Sequence, residues 1–220
     1  QFAGLANLME FSRDMEREAD SLGFEAAVAQ GYDPQAGVRL WKRMQDEEKA
    51  NVRAKYNPVF ASHPKSAERM ADVAAAAAKH PTGTGQTYQA RYDQATDPFV
   101  ADWLEQELSR RMYDTSIQVI GELHAHAQPE RLGVYEFYLA EAYRQRGGPG
   151  DLAQASRLYA LAVSRERAPA AAWREWGLVL ASQGQKADAI KYLTTYLEKA
   201  PTADDRLFVQ NDIRKLEGGQ

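Results

Sequence analysis

Residues 173–201 read WREWGLVLASQGQKADAIKYLTTYLEKAP. Trp173, Trp176, Gly177 and Leu180 recur at spacings of three and four, the period of one helix face. The polar turn Ala181-Ser182-Gln183-Gly184 interrupts that helix. Ala189, Leu193 and Tyr196 resume the period, and Pro201 closes the unit. The pattern has a precedent 34 residues upstream, where Ala155, Tyr159 and Ala162 stand at the positions of Ala189, Leu193 and Tyr196. Pro169 closes that earlier copy. Its turn, Arg144-Gln145-Arg146-Gly147, is followed by about three extra residues within 148–151, counted by offset from the second copy. Strand signals are almost absent elsewhere, so the expected fold class is all-α.

A helix–turn–helix unit of this length, with Trp, Gly, Leu, Ala, Leu and Pro at these places, resembles the tetratricopeptide repeat. The small Gly177 and Ala189 let the two helices of a hairpin approach, while the bulky positions fill the space between hairpins. A looser copy covers Asp102 to Gln128, with Ile117, Ile120 and Leu123 on its second helix. Thr202 begins a last helix whose Leu207, Val209, Ile213 and Leu216 are expected to cap the stack. The resemblance implies a concave surface on the first helices of the repeats. Phe137, Glu141, Arg144, Arg174 and Leu178 are its candidate protein-binding residues.

Composition narrows the function classes. The chain has 220 residues, 44% apolar and 26% charged, which is ordinary for a globular protein. With 27 Lys+Arg against 31 Asp+Glu, a polyanion binder is not expected, and nucleic acid is not among the expected partners. No cysteine is present, which excludes disulfides, thiolate zinc sites and a cysteine nucleophile. No apolar run of about 18 residues exists, so no transmembrane segment is expected. The start Gln1-Phe2-Ala3, with no initiator Met, reads as a trimmed piece of something longer.

The front of the chain reads as three helices. The first is expected from about residue 2 to 30, with Leu5, Leu8, Ser12, Met15, Ala19, Leu22 and Ala26 on its inward face. Gly31-Tyr32-Asp33-Pro34 stops it, and Asp33 can cap the next helix. That second helix runs to about Arg53, with Val38, Trp41 and Met44 inward. Asn57-Pro58 and Ser62-His63-Pro64 mark an irregular stretch. A third helix carries Ala67, Met70, Val73, Ala74 and Ala77 on one face. Residues 81–98, with Pro81-Thr82-Gly83-Thr84-Gly85 and Asp97-Pro98, read as a linker between a front part, 1–80, and the repeats and capping helix, 99–220.

Glu16 and Asp20 lie four residues apart on the first helix, and therefore on one face. Spacing alone leaves two readings: an ordinary solvated edge, or a metal-ligating carboxylate beside one that holds the second nitrogen of a ligating histidine. The whole string Ser12-Arg13-x-x-Glu16-x-x-Ala19-Asp20 resembles the third-ligand helix of the gluzincin metallopeptidases that include the CAAX prenyl proteases and the HtpX heat-shock protease. Gly31-Tyr32-Asp33-Pro34 and then Ser62-His63-Pro64-Lys65-Ser66-Ala67-Glu68-Arg69 follow in that family's order. With repeats behind this block, the chain is similar to the periplasmic branch of β-barrel assembly-enhancing proteases. The resemblance implies Glu16 as a zinc ligand, Asp20 as the acceptor that orients a histidine, His63 on a loop over the active-site cleft, and Arg69 in a structural role. It also implies protein or unfolded polypeptide as partner, with the outer-membrane assembly machinery as a second, and a periplasmic setting.

One departure is decisive for activity. The family's zinc is held by His-Glu-x-x-His, whose glutamate is the general base, and this chain does not contain it. Its histidines are His63, His80, His124 and His126. Zn2+ is therefore expected in a full-length enzyme and not in this chain alone. His124 and His126 point apart on a helix and read as surface residues near its C-terminus. Two functions follow: the C-terminal part of a zinc metalloendopeptidase of outer-membrane protein quality control, or a non-catalytic tetratricopeptide adaptor.

Overall fold

The structure, a computed structural model, describes residues 2–51 and 66–218. Its elements are helices, and the chain divides into two compact units, Gln1–Phe99 and Val100–Gln220. The fold class is all-α, as expected. Among the described residues no helix is long and apolar enough to cross a membrane.

The first unit contains α1 (Phe2–Ala29), α2 (Gln35–Ala50), α3 (Ser66–Ala77) and α4 (Gln89–Thr96), the last running into a single 3-10 turn, Asp97–Phe99. Helix α1 ends for a local reason. Gly31 takes φ +84°, which only glycine adopts cheaply. Its N–H bonds the Val28 carbonyl at 2.9 Å, and the Tyr32 N–H reaches the Ala27 carbonyl at 3.0 Å, a Schellman closure. The Asp33 carboxylate then accepts the Gln35 N–H at 2.9 Å, answering a donor at the start of α2. Arg39 first, and that N–H second, hold the Asp33 carboxyl below the usual carboxylate range.

Residues 85–88 come back to this turn. Gln86 pairs with Tyr32 in an isolated parallel bridge, its N–H on the Gly31 carbonyl at 2.8 Å. The Tyr88 ring meets the Tyr32 ring edge-on at 5.0 Å between centroids. At Gly85 a Cβ would lie 2.5 Å from the Tyr32 carbonyl oxygen, so the close approach excludes any side chain there.

The inward face of α1 differs from expectation. Met15 is 55% exposed, Leu22 61%, and Ala19 and Ala26 are exposed as well. The half-buried positions are instead Arg13, Glu16, Asp20, Phe24, Ala27 and Val28. Spacing identified which face of α1 is apolar, but an ionic contact from α3 fixes which face packs. Met44 on α2 is likewise exposed, along with Leu40, whereas Trp41 is buried; Val73 and Ala77 of α3 are buried. Side chains before Arg13, the turns at Asn57-Pro58 and Ser62-His63-Pro64, and with them His63, lie outside the described residues.

The second unit contains α5 (Val100–Ser109), α6 (Tyr113–Ala125), a 3-10 turn Pro129–Arg131, α7 (Leu132–Arg146), α8 (Asp151–Ala162), α9 (Ala171–Ser182), α10 (Lys186–Lys199) and α11 (Arg206–Gly218). Helices α7 and α8 pair, α9 and α10 pair, α6 lies on α7 and α11 on α10. Ala155, Tyr159 and Ala162 are buried, and so are their counterparts Ala189, Leu193 and Tyr196. Gly177 is required by packing: a Cβ there would stand 2.8 Å from Leu193 Cγ and 3.2 Å from the Ala189 carbonyl. One core joins Phe137, Tyr159, Trp173, Leu193, Tyr196 and Val209; a second joins Val100, Leu104, Leu108, Ile120, Tyr135 and Leu139. On α11, Val209 is buried but Leu207 is 74% exposed, so it does not share the packed face expected of it.

Candidate functional site

In the first unit three helices meet at one side chain. Arg69, near the start of α3, donates from Nε to Asp20 Oδ2 and from Nη2 to Asp20 Oδ1, both at 2.6 Å. Its Nη1 reaches Glu16 Oε2 at 2.7 Å. The guanidinium lies 4.0 Å from the centroid of the Trp41 ring of α2. A planar fork can grip one carboxylate with two parallel bonds, reach a second, and stack on an aromatic face; a lysine ammonium cannot do all three. The side chains of Arg69 and Asp20 are each 18% exposed, so the attraction is only partly screened. Hydrogen bonds to Asp20 are the first cause that raises the Arg69 pKa, and burial partly opposes them. Outside this cluster, Arg17 bridges to Asp72 at 3.2 Å along the exposed edge of α1 and α3.

Glu16 and Asp20 are thus brought together, as expected, but around an arginine. Arg69, expected to be structural, is the group that organises them. Zinc held by a protein needs three or more ligands with suitable geometry. Among the described residues no group of three or more His, Cys, Asp or Glu is placed to hold a metal ion. Asp20 is gripped on both oxygens. These residues by themselves do not fit zinc. His124 lies 3.6 Å from Glu136 and His126 3.7 Å from Glu122, so the two histidines serve different carboxylates.

The second unit has a groove of about 520 Å³ between its first-of-pair helices α5, α7 and α9. Of the candidate protein-binding residues, Phe137, Glu141 and Arg174 line it. Leu178 is exposed but outside the lining, and Arg144 turns to its neighbours. Arg144 Nη2 donates to Glu141 Oε2 at 2.6 Å, Gln145 Nε2 donates to the same carboxylate at 3.0 Å, and the buried Tyr159 hydroxyl donates to Glu141 Oε1. Burial pushes the Glu141 carboxyl up, but Arg144 and Tyr159 more than offset it and hold it below the usual range. Arg174 is matched by Glu175 at 2.7 Å and by Asp205. Other lining residues were not among the sequence candidates, Tyr138, Glu105 and Arg111 among them. Position on a first helix could have found Tyr138 and Glu105. Arg111 sits in a turn at φ +55°, for which its residue type gives no signal.

Residues 1–77, about a third of the chain, match the family model of peptidase family M48. A search of curated proteins finds no match. The match supports a relationship of the first unit to the M48 metallopeptidases, a zinc-dependent family, and a protease-related function.

Removing Arg69 tests the cluster. Arg69→Ala leaves two half-buried carboxylates facing each other and should cost the first unit about 2 kcal/mol, between exposed and buried ion pairs. Arg69→Lys should recover only part, because the two-pronged grip is lost; equal stability of the two variants in chemical denaturation would contradict this account. A second test concerns pH. The Glu141 carboxyl is held low in the folded state, so its stabilisation is complete above its unfolded pKa and is lost as pH falls through the folded value. Tyr159→Phe removes one of the bonds that lower it. The acid-unfolding midpoint should then move to higher pH, with about 1–2 kcal/mol lost at neutral pH.

Proposed function

We propose that this chain is the C-terminal part of a periplasmic zinc metalloendopeptidase of outer-membrane protein quality control, with a tetratricopeptide-like arm that docks protein substrates or the assembly machinery. The observation that carries the reading is the match of residues 1–77 to a zinc peptidase family, with two half-buried carboxylates on α1 at the motif positions. In this reading Glu16 is the metal's glutamate ligand, Asp20 orients a histidine ligand, and the remaining ligands and the general base are supplied by a His-Glu-x-x-His outside these 220 residues.

Two further features support it. Met15 and Leu22 on α1, with Leu40 and Met44 on α2, are large apolar side chains left exposed. Such faces on a helical unit mark surfaces that another polypeptide covers, and the rest of a peptidase domain is the cover this reading supplies. The absence of cysteine is compatible with a periplasmic setting. The adaptor reading also has an observation behind it: Arg69 already balances Glu16 and Asp20, as it would in a scaffold that has no metal.

Metal analysis of the full-length gene product separates the two. The peptidase reading expects one zinc per chain, lost in Glu16→Gln with the helix content unchanged. A full-length protein that purifies and folds without zinc would overturn it and leave the adaptor.

A further inference from the structure

The groove of the second unit contains charges that its own side chains leave unanswered. Glu141 is satisfied by Arg144, Gln145 and Tyr159, and Arg174 by Glu175 and Asp205. Glu105 on α5 and Arg111 in the turn after it also line the groove, yet among the described residues neither has an ion-pair or side-chain hydrogen-bond partner. Asp102, three residues before Glu105 and so on the same side of α5, is unpaired in the same sense. Tyr138 lines the same groove, half-buried, its hydroxyl pKa pushed up to about 12 by burial first and then by Glu105, Asp102 and Glu141. Glu105 lines the groove with this ring, and Leu108 and Phe137 give it apolar lining.

Arg111 is the second observation. A non-glycine residue at φ +55° is uncommon, and Arg111 lines the same groove with no ion-pair partner among the described residues. A lone cation would satisfy Glu105 but leave Arg111 unmet. A polypeptide can do both, because a basic side chain and a carbonyl or carboxylate occur within a few residues on one extended strand.

Resting on the docking part of the reading above, we propose that this groove binds an extended polypeptide segment through a lysine or arginine side chain. Its aliphatic stem lies on Tyr138 and its charge meets Glu105 and Asp102, while Arg111 takes a carbonyl or carboxylate of the same segment. An aromatic face with a carboxylate beside it suits a long cationic side chain, whose methylenes need cover as much as its charge needs a partner. Arg144 and Arg174 do not repel it, since their charges are already matched.

The test uses the 220-residue chain and three fluorescein-labelled ten-residue peptides of Leu and Ala that differ only in carrying two Lys, two Gln or two Glu. Fluorescence anisotropy should show the Lys peptide binding about tenfold more tightly than the Gln peptide, with the Glu peptide weakest. Raising the salt to 0.5 M, about three times physiological ionic strength, should shrink that preference. Glu105→Gln, at an exposed site, should weaken the Lys peptide by about five- to tenfold and leave the Gln peptide and the thermal midpoint unchanged. Binding with no preference for Lys, or a Lys peptide indifferent to Glu105→Gln, would overturn this proposal while sparing the docking reading. Failure of all three peptides to bind would overturn both.

Discussion

The grip of one guanidinium on two carboxylates determines how the first unit is put together. Arg69 lies 49 residues from Asp20 and 53 from Glu16, so its bonds are tertiary contacts that no local propensity could supply. It also covers the Trp41 ring, so α1, α2 and α3 meet through one planar cation. Two carboxylates four residues apart on a helix repel one another, and turning them inward without a counter-charge would cost more than the burial returns. With Arg69 in place, the polar side of α1 becomes a packing face. The apolar stripe of Met15 and Leu22 is then left outward.

How far the sequence could anticipate this differs by element. The end of α1 was legible because Gly31 is needed at a left-handed position and Asp33 has a short path to the next helix's donors, both decided within a few residues. The pairing of α7 with α8 and α9 with α10 was legible because the 34-residue period repeats the same buried positions, Tyr159 and Leu193 among them. The packed face of α1 was not. A hydrophobic period names an apolar side; it says nothing of what lies against it, and here a distant arginine outweighed the stripe. Leu207 on α11 failed in the same way, since Val209 alone of that pair reaches the core.

The candidate sites divide similarly. Glu16 and Asp20 stood out as candidates by their motif, and Phe137, Glu141 and Arg174 by their place on first helices. Their partners were not found, because a partner is fixed by tertiary geometry: Arg69 for the first pair, Tyr159 and Asp205 for the groove. Family likeness reaches residues 1–77 and names a chemistry. The described side chains show Glu16 and Asp20 joined by an arginine. Here a protein guanidinium answers the charge of both carboxylates.

Side-chain NMR of the isotope-labelled protein reads directly whether Arg69 is held in place in solution. A guanidinium fixed by bonds to Asp20 and Glu16 cannot rotate freely, so the account predicts a protected Arg69 Nε–H signal and separate, slowly exchanging Nη signals, with Asp20→Asn collapsing them. A single averaged Nη signal in the wild type, like that of a solvated surface arginine, would contradict it.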